Sequence, residues 1–140
     1  MTRRTRMAAV FSCVLWAWFG AARGTATTIA EYDKLADQRA KSAFLARVIT
    51  TVTTALVKEL SSPLDPNGRS KTSAAIARDK ARAALVPKAV SGKLGDDAYA
   101  DRIGLLALQI AVARKQNPAI HLEAVVRKWI LDAVIAFDAR

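Results

Sequence analysis

Apolar residues recur at helical spacing in four stretches of the chain, and almost nowhere do they alternate as a half-buried strand requires. The first stretch opens with Thr28 and Glu31, the pattern of a capping box in which the threonine side chain accepts from the third backbone N–H while the glutamate reaches back. Ile29, Tyr32 and Leu35 or Ala36 then share one face. After the polar "DQRAKS" a second series runs Phe44, Val48, Val52, Ala55 or Leu56, and Leu60. This spacing predicts one long helix from Ile29 to Leu60, or two with a bend near Gln38 to Ser42. The β-branched "VITTVTT" lowers helix propensity and is the one place where a strand competes, but the flanking alanine, leucine and lysine favour helix.

Ser61 to Ser73, "SSPLDPNGRSKTS", gathers two prolines, a glycine and polar turn formers, so the chain is expected to leave the helix and cross the surface there. Thr72 or Ser73 can cap a shorter helix, "AAIARDKARAAL", which Pro87 is expected to end. In "SGKLGDDAYADRIGLLALQIAVARKQNP", Gly92 and Gly95 mark a loop and Asp96 a cap. Asp97 and Asp101 fall in the first turns of the next helix and Arg114 and Lys115 in its last, as the helix dipole favours. Tyr99, Ile103, Leu106, Ile110 and Ala113 form its buried stripe, and Asn117 and Pro118 stop it. Beyond the short link "NPAI", Leu122, Val125, Val126, Trp129, Ile130, Ala133, Val134 and Phe137 fill the wide apolar face of a final helix. Links of that length join antiparallel neighbours, so the last two helices are expected to form a hairpin. The expected fold is all-α: a compact single-domain bundle of about four helices.

The chain start changes how the rest is read. Arg3, Arg4 and Arg6 form a basic region, Met7 to Phe19 is uncharged and mostly apolar, and small residues follow at Gly20, Ala21, Ala22, Gly24 and Ala26. This is the tripartite pattern of an export signal, residues 1–24, with cleavage between 22 and 26, leaving a helical domain over 25–140. The apolar run is shorter than the ~20 residues that span a bilayer. The expected location is periplasmic or secreted. Cys13 lies within the apolar run, so the mature domain has no cysteine and its core must hold it without a disulfide. A chain of about 115 residues can bury roughly two-thirds of its unfolded surface, enough for one modest core.

Composition argues against disorder, with 52% hydrophobic residues. The formal charge of +10 falls once the signal is removed: four arginines leave with no acid, and 18 basic against 12 acidic side chains give +6. The surplus is spread along the chain beside acids or at helical spacing, as on solvated helix faces. An anionic partner such as wall polymer, lipid headgroup or an acidic protein groove suits this charge. Nucleic acid does not, given the few aromatics and the lack of a binding module.

Candidate chemistry is sparse. His121, the only histidine, stands at the first turn of the final helix, where it can hydrogen-bond the connection or cover the end of the core. A catalytic histidine needs a nucleophile, a metal or an orienting acid within reach. The mature chain has no cysteine and no second histidine, and no nucleophile-elbow pattern occurs. Asp96, Asp97 and Asp101 lack the alternating ligands of a calcium loop, and "DPNGRSKTS" lacks the spacing of a phosphate loop. No enzyme activity, cofactor or metal is expected.

A signal peptide, "TIAEYDKL", "FLARVITTVTTAL", a variable middle, "KLGDDAYADRIGLLALQIA" and "IHLEAVVRKWILDAVIAF" follow one another in an order that resembles the Rap/Tai family of periplasmic immunity proteins. Those proteins protect bacteria against type VI secreted cell-wall amidases. The similarity runs from Thr28 to Phe137 and rests mainly on apolar spacings, a "P-x-x-H-L" link and a "DA-x-x-A-F" end. Family members commonly carry cysteines, often just after the terminal phenylalanine, where this chain has Asp138. The resemblance implies a helical, non-enzymatic inhibitor that blocks a peptidoglycan amidase by occupying its groove. The loop best placed to do so is long, polar and held between helices: Pro63, Leu64, Asp65, Pro66, Asn67, Gly68, Arg69, Ser70 and Lys71. The alternative is a basic helical envelope protein that binds anionic wall or lipid peripherally. A homodimer through the apolar face of the final helix is also open.

Overall fold

A computed structural model describes residues 27–94 and 99–139 of the chain. Among them are five helices and no strand: α1 (Ile29–Asp33), α2 (Gln38–Ser61), α3 (Ser73–Val90), α4 (Tyr99–Gln116) and α5 (Leu122–Asp138). The expected all-α fold is present. The expected signal and its cleavage site, with Gly95, Asp96 and Asp97, lie outside the described residues.

Local chemistry sets the helix starts. Thr28 Oγ1 accepts from the Glu31 N–H at 3.2 Å, the threonine half of the capping box. The first helix lasts barely a turn, because Asp37 restarts the chain: its Oδ1 accepts from the Ala40 N–H at 2.7 Å. The expected bend therefore falls just before Gln38. Thr72 caps α3 in the same way, 3.1 Å from the Ala75 N–H. Within α2 the β-branched run stays helical while Thr50, Thr53 and Thr54 turn their hydroxyls back onto the carbonyls of Ala46, Ile49 and Thr50. The polar atoms that would compete with the helix are thereby bonded to it.

Pro87 does not end α3, contrary to the sequence expectation; the helix continues to Val90. The proline lies near the end and is exposed, while Val86 and Ala89 on either side are fully buried and hold the last turn against the core. Termination belongs to Gly92, whose φ of 72° is the left-handed conformation that a glycine adopts without strain. The Gly92 N–H donates to the Ala89 carbonyl and the Lys93 N–H to the Lys88 carbonyl, closing a Schellman motif.

The final helix is the central one. It packs against α2, α3 and α4, while α2 and α3 pack on each other and α1 touches α2 and α4. Leu122, Val126, Trp129, Ile130 and Val134 of α5 are fully buried, among Leu56, Val86 and Leu106 from its three neighbours. Each such side chain contributes about 1.5–3 kcal/mol by leaving water. The apolar face of α5, considered from sequence as a dimer surface, is thus consumed within one chain. The large hydrophobic side chains left exposed include Leu105, Leu108 and Val112 of α4.

Bidentate ion pairs tie helices that are distant in sequence. Arg127 of α5 holds Glu59 of α2 at 2.7 and 2.8 Å, and Arg114 of α4 holds Asp33 of α1 at 2.7 and 2.8 Å. The planar guanidinium suits both carboxylates.

Candidate functional site

The loop from Ser62 to Thr72 is a small ordered hairpin. Leu64 and Ser70 face each other in an antiparallel bridge, the Lys71 N–H donates to the Pro63 carbonyl at 2.9 Å, and the Asp65 N–H donates to the Arg69 carbonyl at 2.7 Å. The Asp65 carboxylate organises the turn: one oxygen accepts from the N–H groups of both Asn67 and Arg69 at 2.9 Å. Gly68, with φ of 79°, supplies the left-handed residue that lets the chain reverse.

Eight of the nine residues expected to contact a partner sit on this hairpin outside the core. Pro63, Leu64, Pro66, Asn67, Gly68, Arg69 and Ser70 are exposed and Asp65 is half-buried. Leu64, at 47% exposure, is the apolar member of the group. At the base of the hairpin a shallow depression of about 330 Å³ is lined by Lys58, Ser62, Leu64, Asp65 and Pro66 among others.

Lys71 is different. Its side chain is 8% exposed, and Nζ lies 2.9 Å from the Asp79 carboxylate on α3. The same ammonium donates to the Glu59 carbonyl at 3.2 Å, covering the C-terminal end of α2. Lys71 thus fastens the hairpin to two helices. Burial pushes the Asp79 carboxyl up, but hydrogen bonds from Lys71 and Arg78 together outweigh it and hold its pKa below the usual value. The sequence signal for this clasp was a lysine just before a helix cap, followed by an acid within the helix, and charge spacing alone does not show which acid the lysine reaches.

His121 occupies the N-cap position of α5, but its side chain makes no cap hydrogen bond and is exposed. The capping or core-covering role expected for the imidazole is replaced by a role for the backbone around it. The Leu122 N–H donates to Thr27, the Ile29 N–H to Ile120 and the Ala30 N–H to Pro118, at 2.9–3.0 Å. These bonds fasten the start of the domain along the link between α4 and α5. No group of three or more His, Cys, Asp or Glu side chains able to hold a metal occurs among the described residues.

Trp129 is fully buried, as its place in an apolar stripe suggests, but it also takes part in a polar contact that the stripe conceals. Its indole N–H donates to the Arg102 carbonyl at 2.9 Å, and the Arg102 guanidinium lies 4.5 Å from its ring centroid. Arg102 itself is only 6% exposed. A cation four residues before Leu106, in phase with the buried stripe, was the available sequence signal.

A larger groove, about 440 Å³, lies between α4 and α5 and is lined by Leu108, Val112, Ile120, Ala124 and Val125 with Gln109 and Lys128. The described residues form a small helical bundle that carries a surface hairpin and an apolar groove. No protein-family model, curated protein or solved structure matches the chain.

Proposed function

We propose that the protein is an exported, non-enzymatic binding protein, an immunity protein that inhibits a secreted cell-wall amidase by inserting the hairpin at residues 63–70 into the enzyme's groove. The observation that carries this reading is the ordered state of the hairpin. Its turn is fixed by Asp65 and Gly68, its base is fastened by Lys71 to Asp79, and its outer residues contact little of their own chain. A loop already held in shape loses little entropy on binding, which is what an inhibitory contact needs. The export-like start and the helix order resembling the Rap/Tai family support the same reading.

A second reading is a basic envelope protein, favoured by exposed cations with no ion pair among the described residues, such as Arg39, Lys58, Lys80 and Lys88. Crosslinking in the native periplasm, followed by mass spectrometry and an inhibition assay on the captured enzyme, separates the two. A stoichiometric wall amidase whose hydrolysis the protein blocks, with affinity reduced about tenfold or more by Leu64→Asp or Arg69→Glu, is the expected result. Recovery of wall or lipid alone, lost at high salt, would transfer the assignment to the envelope role.

A further inference from the structure

The outward side of α4 carries an apolar surface that its own chain does not cover. Leu105, Leu108 and Val112 are 42%, 60% and 50% exposed, on the side of the helix away from the buried Leu106, Ile110 and Ala113. Two charged residues frame them. Asp101 stands seven positions before Leu108 and Lys115 seven positions after it. Seven residues are close to two full turns, so all three lie near one line along the helix, with the charges about 21 Å apart. Both are exposed, and neither makes an ion pair among the described residues.

This spacing is self-complementary. When two such helices run antiparallel about a two-fold axis at Leu108, Asp101 of each comes level with Lys115 of the other. Leu105 then falls beside Val112 of the second copy, and Gly104 beside its Ala111. Gly104 fits this arrangement for a separate reason. A side-chain carbon placed there would meet nothing within 4 Å in its own chain, and its backbone is not left-handed. Neither conformation nor internal packing therefore calls for glycine inside this helix, where glycine weakens it. A second helix axis approaching closely on that side uses the missing side chain, since interaxial distance depends on the side chains at the crossing.

We infer that two copies of this chain associate through α4, antiparallel, about a two-fold axis passing beside Leu108 and with reciprocal Asp101–Lys115 ion pairs at the ends. An isologous contact of this kind closes on itself and forms a dimer rather than a fibre. A single helix pair buries less than the ~800 Å² per partner of a standard interface, so the association is expected to be weak and concentration-dependent. The inference stands apart from the proposed inhibitory role, which uses the hairpin between α2 and α3.

Sedimentation equilibrium of the protein recovered from cells, over 1–500 µM, tests it. A monomer–dimer equilibrium is expected, abolished by Leu108→Asp with an unchanged circular dichroism spectrum. Asp101→Lys alone and Lys115→Asp alone should each weaken association about tenfold or more, and the double reversal should restore it. A monomer at all concentrations would overturn the inference, as would a dimer insensitive to Leu108→Asp or single reversals not rescued by the pair. Should Leu108→Asp unfold the chain, the charge-reversal series, which alters only exposed side chains, decides the question.

Discussion

Arg102 and Trp129 bind each other twice through side chain and backbone: the indole N–H donates to the Arg102 carbonyl at 2.9 Å, and Arg102 Nη2 donates to the Trp129 carbonyl at 3.3 Å. The guanidinium also faces the ring at 4.5 Å. The contact fixes the register of α4 against α5 at a buried point, where apolar side chains alone would permit sliding. Replacing Trp129 with Phe removes the donor together with one ring of the fully buried indole, so a lost hydrogen bond and a lost packing contact act in the same direction. Stability measured by urea denaturation should fall by about 1–2 kcal/mol, and an unchanged midpoint would show that the indole bond contributes nothing to the register.

Lys71 and Asp79 should behave as a buried pair. Lys71→Ala leaves the Asp79 carboxylate, with its side chain 10% exposed, dependent on the half-exposed Arg78. A loss of about 3 kcal/mol is expected. Arg69→Ala, two residues earlier and exposed, should stay within about 0.5 kcal/mol. Lys71→Met combined with Asp79→Leu should recover much of the loss, because no buried charge then remains unpaired. Denaturation midpoints of the three variants check this ordering.

Acid should loosen the same corner of the fold. The hydrogen bond from Arg127 holds Glu59 below its ordinary pKa of 4.5, and Asp79 is held below 3.8 once its bonds to Lys71 and Arg78 overcome the effect of burial. A carboxylate whose pKa is lower in the folded state contributes stability that is fully present above its unfolded pKa and is lost as pH falls through the folded value. Stability should therefore be level near neutrality and decline as pH drops below about 4.5. Glu59→Gln should flatten part of that slope in denaturation curves taken from pH 6 to pH 2.

Gly104 offers a prediction of the opposite sign. With open space around it and a helical backbone, Gly104→Ala should raise the stability of the monomer by about 0.5–1 kcal/mol, read at concentrations too low for association. A loss of stability would reveal an internal contact at that position.

The sequence made the helices legible because each apolar stripe has the period of a helix face, and Asp37 and Thr72 are short polar residues able to cap. It made Pro87 misleading. Proline removes one hydrogen bond from the interior of a helix, but whether the helix survives there depends on burial at Val86 and Ala89, which is a tertiary matter. The hairpin at 63–70 was legible as a turn from its prolines and glycine. That the Lys71 side chain is buried at the base of the hairpin and not presented at its tip was hidden, since the acid that claims it is chosen by the packing of α3 on α2. His121 drew attention through its rarity, yet only its backbone is engaged. Charged Arg102 within the stripe was hidden by the assumption that a buried face is apolar throughout.

The order of the helices along the chain bears on how the molecule comes to be folded. The helix that touches α2, α3 and α4 is made after all of them, and it brings Trp129, Ile130 and Val134 to a centre that is empty until then. A growing chain that has reached only Gln116 can pair α2 with α3 but lacks the Trp129, Ile130 and Val134 side chains that complete the cluster with Leu56, Val86 and Leu106. Such an unfinished chain exposes the kind of surface that chaperones hold and aggregates share. Completion comes late: residues 117–138, the short link and the 17-residue final helix, convert an open set of helices into a closed core.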